Sequence, residues 1–140
     1  MARKLIEIMD TTLRDGEQTS GVSYTPNEKL TIAKFLIDKL NIDRIEVASA
    51  KVSDGELESV KKITNWAKKN KKINCIEVLT FVDNGLSIDW ISRANCKVQN
   101  LLTKGSLNHL KYQLKKTPKD HFNDISKVLK KASAKKIITN

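Results

Sequence analysis

Hydrophobic and polar positions along the chain follow two alternating periods. Short apolar runs are typical of buried strands, and between them apolar residues recur at intervals of three and four, which is typical of amphipathic helices. The runs predict strands at Lys4–Met9, Asp43–Ala48, Ile73–Phe81 and Cys96–Thr103, and the start of a fifth strand in the final KKIITN.

Capping residues mark the starts of the predicted helices. Thr25, Pro26 and Glu28 predict a capping box with proline at the first helical position. The apolar positions of that helix are Leu30, Ala33, Leu36, Ile37 and Leu40. Ser53 and Glu56 predict a second capping box, before the helix that carries Leu57, Val60, Ile63 and Ala67. Further helices are predicted at Ser87–Ala94, with Ser87 as its cap, around Leu107–Leu114, and from Thr117-Pro118 onward.

Strand and helix alternate four times, which predicts βαβ units around a parallel sheet. Two architectures fit this alternation: a doubly wound sheet and a (β/α)₈ barrel. A doubly wound nucleotide binder should carry GxGxxG or a P-loop after its first strand, and neither motif occurs. A barrel takes about 250 residues, so the 140 residues of this chain would hold the first half of one. No linker or low-complexity segment interrupts the chain, and we expect residues 1–140 to have no internal domain boundary.

Composition agrees with a globular protein, since 39% of residues are hydrophobic and 30% are charged. No apolar run approaches the ~20 residues of a membrane span, and the start MARKLIEIMD is too short in apolar residues for a signal peptide. Cys75 and Cys96 stand in strand-like settings without a metal-ligand spacing, which indicates buried free thiols. We therefore expect a cytoplasmic protein that does not bind membranes.

The net charge of +10 raises the question of a nucleic-acid partner. The lysines fall in short runs where the helices are predicted to end, and cations there interact favourably with the helix dipole. No basic stripe is interleaved with aromatic residues, which make up only 5% of the chain. This pattern favours solvated helix ends over a nucleic-acid surface, and leaves open an attraction for a phosphorylated coenzyme.

Polar side chains follow every predicted strand. The densest group is the stretch Asp10–Gln18, DTTLRDGEQ, directly after the first strand. Glu46 and Glu77 lie inside strands that a parallel sheet normally keeps apolar. Active sites of both candidate architectures lie at the carboxyl ends of the strands, so we expect chemistry at this edge.

Arg14 and Asp15 offer a planar cation and an oxygen ligand within one turn. A carboxylate that binds a divalent metal beside a guanidinium suits a substrate with adjacent carboxylate and carbonyl groups. The guanidinium would stabilise negative charge on the carbonyl oxygen. An ion pair in a loop, with Gly16 as a turn residue, fits the same spacing, and the pattern alone does not separate the two interpretations.

The stretch DTTLRDGEQ resembles the first-strand signature of the metal-dependent barrel family of 2-isopropylmalate, homocitrate and citramalate synthases and hydroxymethylglutaryl-CoA lyase. The resemblance continues through Arg44–Gly55, RIEVASAKVSDG, and more loosely through Thr103–Leu114, TKGSLNHLKYQL. The DGEQ ending favours the synthases over the lyase.

The resemblance implies a (β/α)₈ barrel that condenses acetyl-CoA with a 2-oxo acid and then hydrolyses the thioester. It makes Asp15 a ligand of a divalent metal (Mg²⁺, Mn²⁺ or Zn²⁺) and makes Arg14 the group that polarises the 2-oxo acid. Gln18 and Thr12 would contact the substrates. Glu46 would lie beside the reacting groups, or would serve as the carboxylate that orients Arg14 or a lysine. The His-x-His metal ligands of the family are absent from this chain, so we expect the chain alone to be inactive.

Other conspicuous side chains are assigned to packing or to the surface. We expect His109 near the barrel mouth without a direct catalytic role, and His121 on the solvent-facing side of a lysine-rich helix. Trp66 and Trp90 fit helix faces that pack on the sheet.

Two other functions stay open. The first is a half barrel that serves as a binding or assembly module and pairs with itself through exposed sheet edges and apolar surface. A homo-oligomer is expected in either case. The second is a basic α/β nucleic-acid binder, which predicts binding with a steep salt dependence.

Overall fold

Five parallel strands form one sheet in the computed structural model, which describes residues 6–140. The strands are β1 Met9–Asp10, β2 Arg44–Ser49, β3 Ile76–Phe81, β4 Val98–Leu102 and β5 Ile138–Thr139. Four α-helices connect them: α1 Pro26–Asp38, α2 Asp54–Lys69, α3 Leu86–Arg93 and α4 Pro118–Ala134. Short 3₁₀ turns lie at Gly16–Gln18 and Ile73–Cys75, and a π-helical segment lies at His109–Leu114.

The strands lie side by side in the order in which they occur along the chain. A doubly wound sheet reverses its strand order at a switch point, and the five described strands contain no reversal. Their order is that of a (β/α)₈ barrel wall, so the prediction of a parallel, barrel-like α/β sheet is confirmed. Glu46 of β2 pairs in register with Glu77 of β3, and an irregularity follows between Glu46 and Ser49.

Two predicted strands begin at least three residues later than their apolar runs. The first predicted strand is Lys4–Met9, of which Lys4 and Leu5 lie outside the described part, and pairing begins only at Met9. The N–H of Ile8 donates instead to the carboxylate of Asp43, at 2.8 Å. The third run was placed at Ile73–Phe81, but Ile73–Cys75 forms a 3₁₀ turn in which the N–H of Cys75 donates to the carbonyl of Lys72.

Helix α1 begins with the predicted capping box, which is confirmed. The N–H of Glu28 donates to the Thr25 hydroxyl at 3.3 Å, and the N–H of Thr25 donates to the Glu28 carboxylate at 2.7 Å. The buried face differs from the prediction, since it consists of Lys29, Ala33, Leu36 and Ile37. Leu30 is only half-buried and Leu40 is exposed beyond the helix end, because the buried face is turned toward Lys29.

Two other predicted caps are wrong in part. Ser53 caps α2 by accepting from the N–H of Glu56, but the Glu56 carboxylate contacts Lys29 instead of completing a box. Helix α3 is capped by Gly85 rather than Ser87. The carboxylate of Asp83 accepts from both the N–H and the hydroxyl of Ser87, the latter at 2.7 Å. A side chain in the preceding loop thus satisfies the start of α3.

One apolar core lies between the strands and the helices. Ile45, Val47, Ile76 and Val78 of the sheet are fully buried in it. Successive strand residues point to opposite faces, so Glu46 and Glu77 lie on the other face of the sheet. Trp90 is buried in the core and Trp66 is partly buried against it, as predicted.

The cysteines and histidines follow the predictions unevenly. Cys96 is buried, and burial raises the pKa of its thiol to about 11, whereas Cys75 is half-buried. His109 is exposed. His121 was predicted to face solvent and is 4% exposed, because the first turn of α4 covers a small cavity that Phe81 and Leu102 also line. Among residues 6–140, no helix is long and apolar enough to cross a membrane.

Candidate active site

A tight turn follows β1 and carries most of the predicted site residues. The carbonyl of Thr11 accepts from the N–H groups of Arg14, Asp15 and Gly16, at 3.1, 2.8 and 3.3 Å. The Leu13 side chain between them is fully buried and anchors the turn in the core. The turn therefore presents the side chains of Arg14 and Asp15 at the carboxyl edge of the sheet, where a parallel sheet places its chemistry.

Arg14 is held between two carboxylates. Its Nε donates to Oε1 of Glu46 at 2.8 Å, and its Nη1 donates to Oδ1 of Asp15 at 2.7 Å. The Arg14 side chain is 19% exposed, and its Nη2 makes no hydrogen bond with residues 6–140. Charge-assisted bonds to a guanidinium are strong and directional, so the free edge of Arg14 has a fixed direction.

Glu46 lies fully buried beneath Arg14 and uses both carboxylate oxygens. Oε1 accepts from Arg14, and Oε2 accepts from Nδ2 of Asn100 on β4, at 3.0 Å. The sequence left two roles open for Glu46, beside the reacting groups or as the carboxylate that orients Arg14 or a lysine. In the structure Glu46 contacts the guanidinium of Arg14. This is the geometry of a carboxylate that orients a neighbour.

Asp15 faces outward from the turn. Its carboxylate is 58% exposed and pairs with Arg14. No group of three or more His, Cys, Asp or Glu side chains that could hold a metal occurs within residues 6–140. Divalent cations require several oxygen or nitrogen ligands. Asp15 therefore offers one ligand, and the described residues do not fit a metal ion by themselves.

A cavity of about 360 Å³ lies beside the turn. One wall consists of Arg14, Glu17 and Gln18, and the other is the loop from β2 to α2, with Ser49, Val52, Ser53 and Glu56. The structure thus brings the predicted residues Arg14 and Gln18 into one cavity. Thr12 lies outside it, and its N–H and hydroxyl both donate to the carboxylate of Asp10.

Glu77 is the second acidic side chain inside the sheet. It is fully buried, its Oε1 accepts from Nη1 of Arg44 at 3.1 Å and from Nδ2 of Asn140 at 3.0 Å, and its Oε2 has no partner among the described residues. Burial raises the pKa of Glu77 above its usual value, against the opposing effect of these donors. The sheet face that carries Glu46 and Glu77 is therefore a polar surface.

Sequence reasoning missed two side chains at this site. No role was assigned to Asn100, whose bond to Glu46 crosses from β4 to β2 over the intervening strand. No role was assigned to Lys29 either. The available signal was its spacing, because positions 29, 33, 36 and 37 share one helix face.

The sequence is similar to those of known proteins over nearly its whole length. The sequence profile of the HMGL-like family matches residues 5–139. The chain is 46% identical over 115 residues to an (R)-citramalate synthase of Methanocaldococcus jannaschii, a match that covers 81% of this chain and 22% of that protein. It is 42% identical over 120 residues to a 2-isopropylmalate synthase of Pyrococcus furiosus, covering 86% of this chain and 23% of that protein.

A homocitrate synthase of Methanopyrus kandleri is 39% identical over 110 residues, covering 77% of this chain and 26% of that protein. The chain thus spans roughly a quarter of the length of these relatives. The family match covers nearly every residue, including the turn after β1 and the strands that position Glu46 and Asn100. The chain belongs to the HMGL-like family.

Proposed function

We propose that this chain is the part of an acyltransferase that binds a 2-oxo acid for condensation with acetyl-CoA. The proposal rests on the geometry of Arg14. Glu46 and Asp15 hold its partly exposed guanidinium, and one edge of the guanidinium has no hydrogen-bond partner among the described residues. The names of three similar proteins support it, since each is a synthase of a citramalate, isopropylmalate or homocitrate.

The proposed chemistry forms one carbon–carbon bond. A base takes a proton from the methyl carbon of acetyl-CoA, and this carbon attacks the 2-oxo carbon. The 2-oxo oxygen takes up the negative charge and then a proton, and water hydrolyses the thioester to a carboxylate and CoA. The free edge of Arg14 donates hydrogen bonds to that oxygen, where a fixed donor stabilises the developing charge most.

The other predicted residues have supporting roles in this proposal. Buried Glu46 keeps the guanidinium of Arg14 in one orientation and remains our second candidate for a catalytic group. Gln18 lines the cavity and Thr12 lies at the start of the turn that carries Arg14, and both are proposed to contact the substrates. Asp15 is proposed as one ligand of a divalent metal, Mg²⁺, Mn²⁺ or Zn²⁺, whose remaining ligands would have to come from beyond residues 6–140.

We also propose that the sheet is the first half of a (β/α)₈ barrel, that residues 1–140 belong to one domain, and that the protein functions in the cytoplasm. The strand order supports the barrel, and two free cysteines suit a reducing compartment.

A self-associating half barrel is the second candidate. Strands β1 and β5 each have one neighbour among the described strands, and Ile8 and Ile138 beside these edges are 59% and 50% exposed. Open edges of this kind favour pairing between chains. Light scattering coupled to gel filtration tests it, and a monomer at all concentrations would refute a homo-oligomer.

The experiment that tests the enzymatic proposal measures release of CoA. The protein as its gene encodes it is incubated with acetyl-CoA, a divalent metal and, in turn, pyruvate, 2-oxoisovalerate and 2-oxoglutarate. We expect one of these acids to accelerate CoA release far above the rate without a 2-oxo acid. Equal rates with and without every acid would refute the proposal.

A further inference from the structure

Lys29 is a fully buried ammonium group between two carboxylates. Its Nζ lies 2.5 Å from Oε2 of Glu17 and 2.6 Å from Oε1 of Glu56. The two carboxylates are 21% and 16% exposed, whereas the Lys29 side chain is 0% exposed. An ammonium group loses several kcal/mol of hydration on burial, so such a group persists only where partners surround it.

The three residues come from three separate elements. Glu17 belongs to the 3₁₀ turn Gly16–Gln18, Lys29 to α1 and Glu56 to the first turn of α2. Both helices also pack in the apolar core through other residues, α1 through Ala33, Leu36 and Ile37 and α2 through Leu57, Val60 and Ile63. Lys29 therefore connects a short turn to two helices that are already in place.

The turn itself has few other attachments. None of Gly16–Gln18 is buried, and Asp15 at its start makes no side-chain capping bond. Within these three residues, Glu17 has the only side chain that bonds to other described residues. Its Oε1 accepts from the N–H of Tyr24 at 2.9 Å, and its Oε2 contacts Lys29. Leu13 anchors the chain that leads into this turn, but no side chain of Gly16–Gln18 is buried, so Glu17 provides the side-chain attachment of these three residues.

Stability of the helix pair alone does not account for a lysine at this position. An apolar side chain would fill the contact between α1 and α2 without desolvating a charge, and such replacements are often neutral or stabilising. The Glu56 carboxylate contacts Lys29 and does not complete the capping box with Ser53. A cation here is explained by what it holds, which is the carboxylate of Glu17.

We propose that Lys29 is a positioning residue that fixes the turn between Asp15 and Gln18 through Glu17. The turn begins next to Arg14 and ends at Gln18, and both side chains line the cavity. Lys29 thereby sets the position of Gln18 relative to Arg14, which Glu46 and Asp15 already orient, without touching the substrate itself. Its effect on turnover rests on the proposed function, whereas its effect on the turn does not.

The test compares variants of the protein as its gene encodes it: Lys29→Met, Lys29→Arg, Glu17→Gln and Glu56→Gln. Lys34→Met, on the exposed side of the same helix, is the matched control. Hydrogen exchange of peptides that cover residues 14–24 measures the turn, and exchange of peptides from α1 and α2 measures the helices. The values of kcat and KM for the 2-oxo acid are measured in parallel.

We expect Lys29→Met and Glu17→Gln to accelerate exchange within residues 14–24 and to lower kcat/KM by about 10–100-fold. Glu56→Gln should change exchange within residues 14–24 much less, because Glu56 contacts Lys29 but not the turn; its kcat/KM is not used for this comparison, since Glu56 also lines the cavity. Lys29→Arg should restore part of the activity, and Lys34→Met should behave as the unmodified protein.

A purely structural role predicts a different pattern. Equal effects of Glu17→Gln and Glu56→Gln on exchange within residues 14–24, or exchange that accelerates in α1 and α2 but not in the turn, would overturn the inference. If Lys29→Met does not fold, the comparison of the two glutamate variants still decides. If the unmodified protein has no activity, the proposed function fails, while the exchange data still test the role of Lys29.

Discussion

The guanidinium of Arg14 and the carboxylate of Asp15 have different environments although they are neighbours. Arg14 is mostly buried and pairs with two carboxylates. Asp15 is mostly exposed, and its carboxylate pairs with Arg14 alone among the described residues. A group that binds a substrate oxygen benefits from a fixed orientation. A group that contributes a single metal ligand must stay accessible to the ion and to the other ligands.

Substitution of Asp15 tests its proposed role as a metal ligand. Asp15→Asn removes the negative charge that a divalent cation requires, so we expect the affinity for Mn²⁺ to fall by at least about tenfold. Titration calorimetry with Mn²⁺ measures it, and Asp38→Asn at the exposed end of α1 is the control. Unchanged affinity of Asp15→Asn would remove Asp15 from the metal site.

The sequence indicated Arg14, Asp15 and Gln18 because DTTLRDGEQ is a dense and specific motif. It could not indicate Lys29, since an isolated lysine on a helix is usually exposed. Lys29 is buried because the buried face of α1 is turned toward it by one residue. Two glutamates that lie 12 and 27 positions away along the chain contact its ammonium group. Contacts of this kind become visible only once the helices have been placed.

At the scale of single elements, capping signals were most reliable where all bonds of the motif lie within a few residues of the chain. Thr25, Pro26 and Glu28 predicted the start of α1 correctly, because all bonds of the box are local. Ser87 was a misleading cap for α3. Asp83 precedes it and provides a better acceptor, so Ser87 acts as a donor inside the first turn.

The start of α3 also favours a glycine. Gly85 has a φ of +80°, and a Cβ there would displace the flexible side chain of Lys131, which pairs with Asp89 at 2.6 Å. We expect Gly85→Ala to lower the free energy of unfolding by about 1–2 kcal/mol, since a left-handed conformation is costly for alanine. Urea denaturation measures this change.

Gly105→Ala is the matched control for this position. Gly105 has open space around its Cα and no positive φ, so its replacement should leave the free energy of unfolding nearly unchanged. Equal stabilities of the two variants would show that the backbone at Gly85 is not strained as described.

At the scale of the whole molecule, the alternation of periods was enough to predict a parallel sheet with interspersed helices. The order of the strands was not contained in that pattern, because doubly wound sheets and barrels share it. The missing nucleotide-binding motif favoured the barrel, and the sequential strand order agrees. Strand bounds shifted at Ile8 and Cys75, where a side-chain acceptor and a 3₁₀ turn replaced ladder bonds.

The polar face of the sheet makes the stability of the whole molecule depend on pH. The pKa of Glu77 is raised in the folded protein, mainly by burial. Folding is therefore favoured most below the ordinary glutamate pKa, and this contribution is lost as the pH rises through the raised value. We expect denaturation midpoints of the unmodified protein to fall over that interval, and those of Glu77→Gln to fall less.

Denaturant titrations at several pH values between about 4 and 8, a range that covers the ordinary glutamate pKa, measure this difference. Asp38→Asn serves as the control for a carboxylate at the surface. A Glu77→Gln protein with the same pH dependence as the unmodified protein would show that Glu77 ionises as freely as a solvated glutamate.

In the proposed reaction Arg14 binds the 2-oxo group during condensation, and the rate of CoA release by Arg14→Ala tests this role. The measurement uses saturating acetyl-CoA and the accepted 2-oxo acid, with Arg93→Ala on the exposed side of α3 as control. We predict that Arg14→Ala keeps its circular dichroism spectrum and loses measurable turnover, while Arg93→Ala keeps both. Turnover of Arg14→Ala close to that of the unmodified protein would show that Arg14 does not bind the 2-oxo group during the reaction.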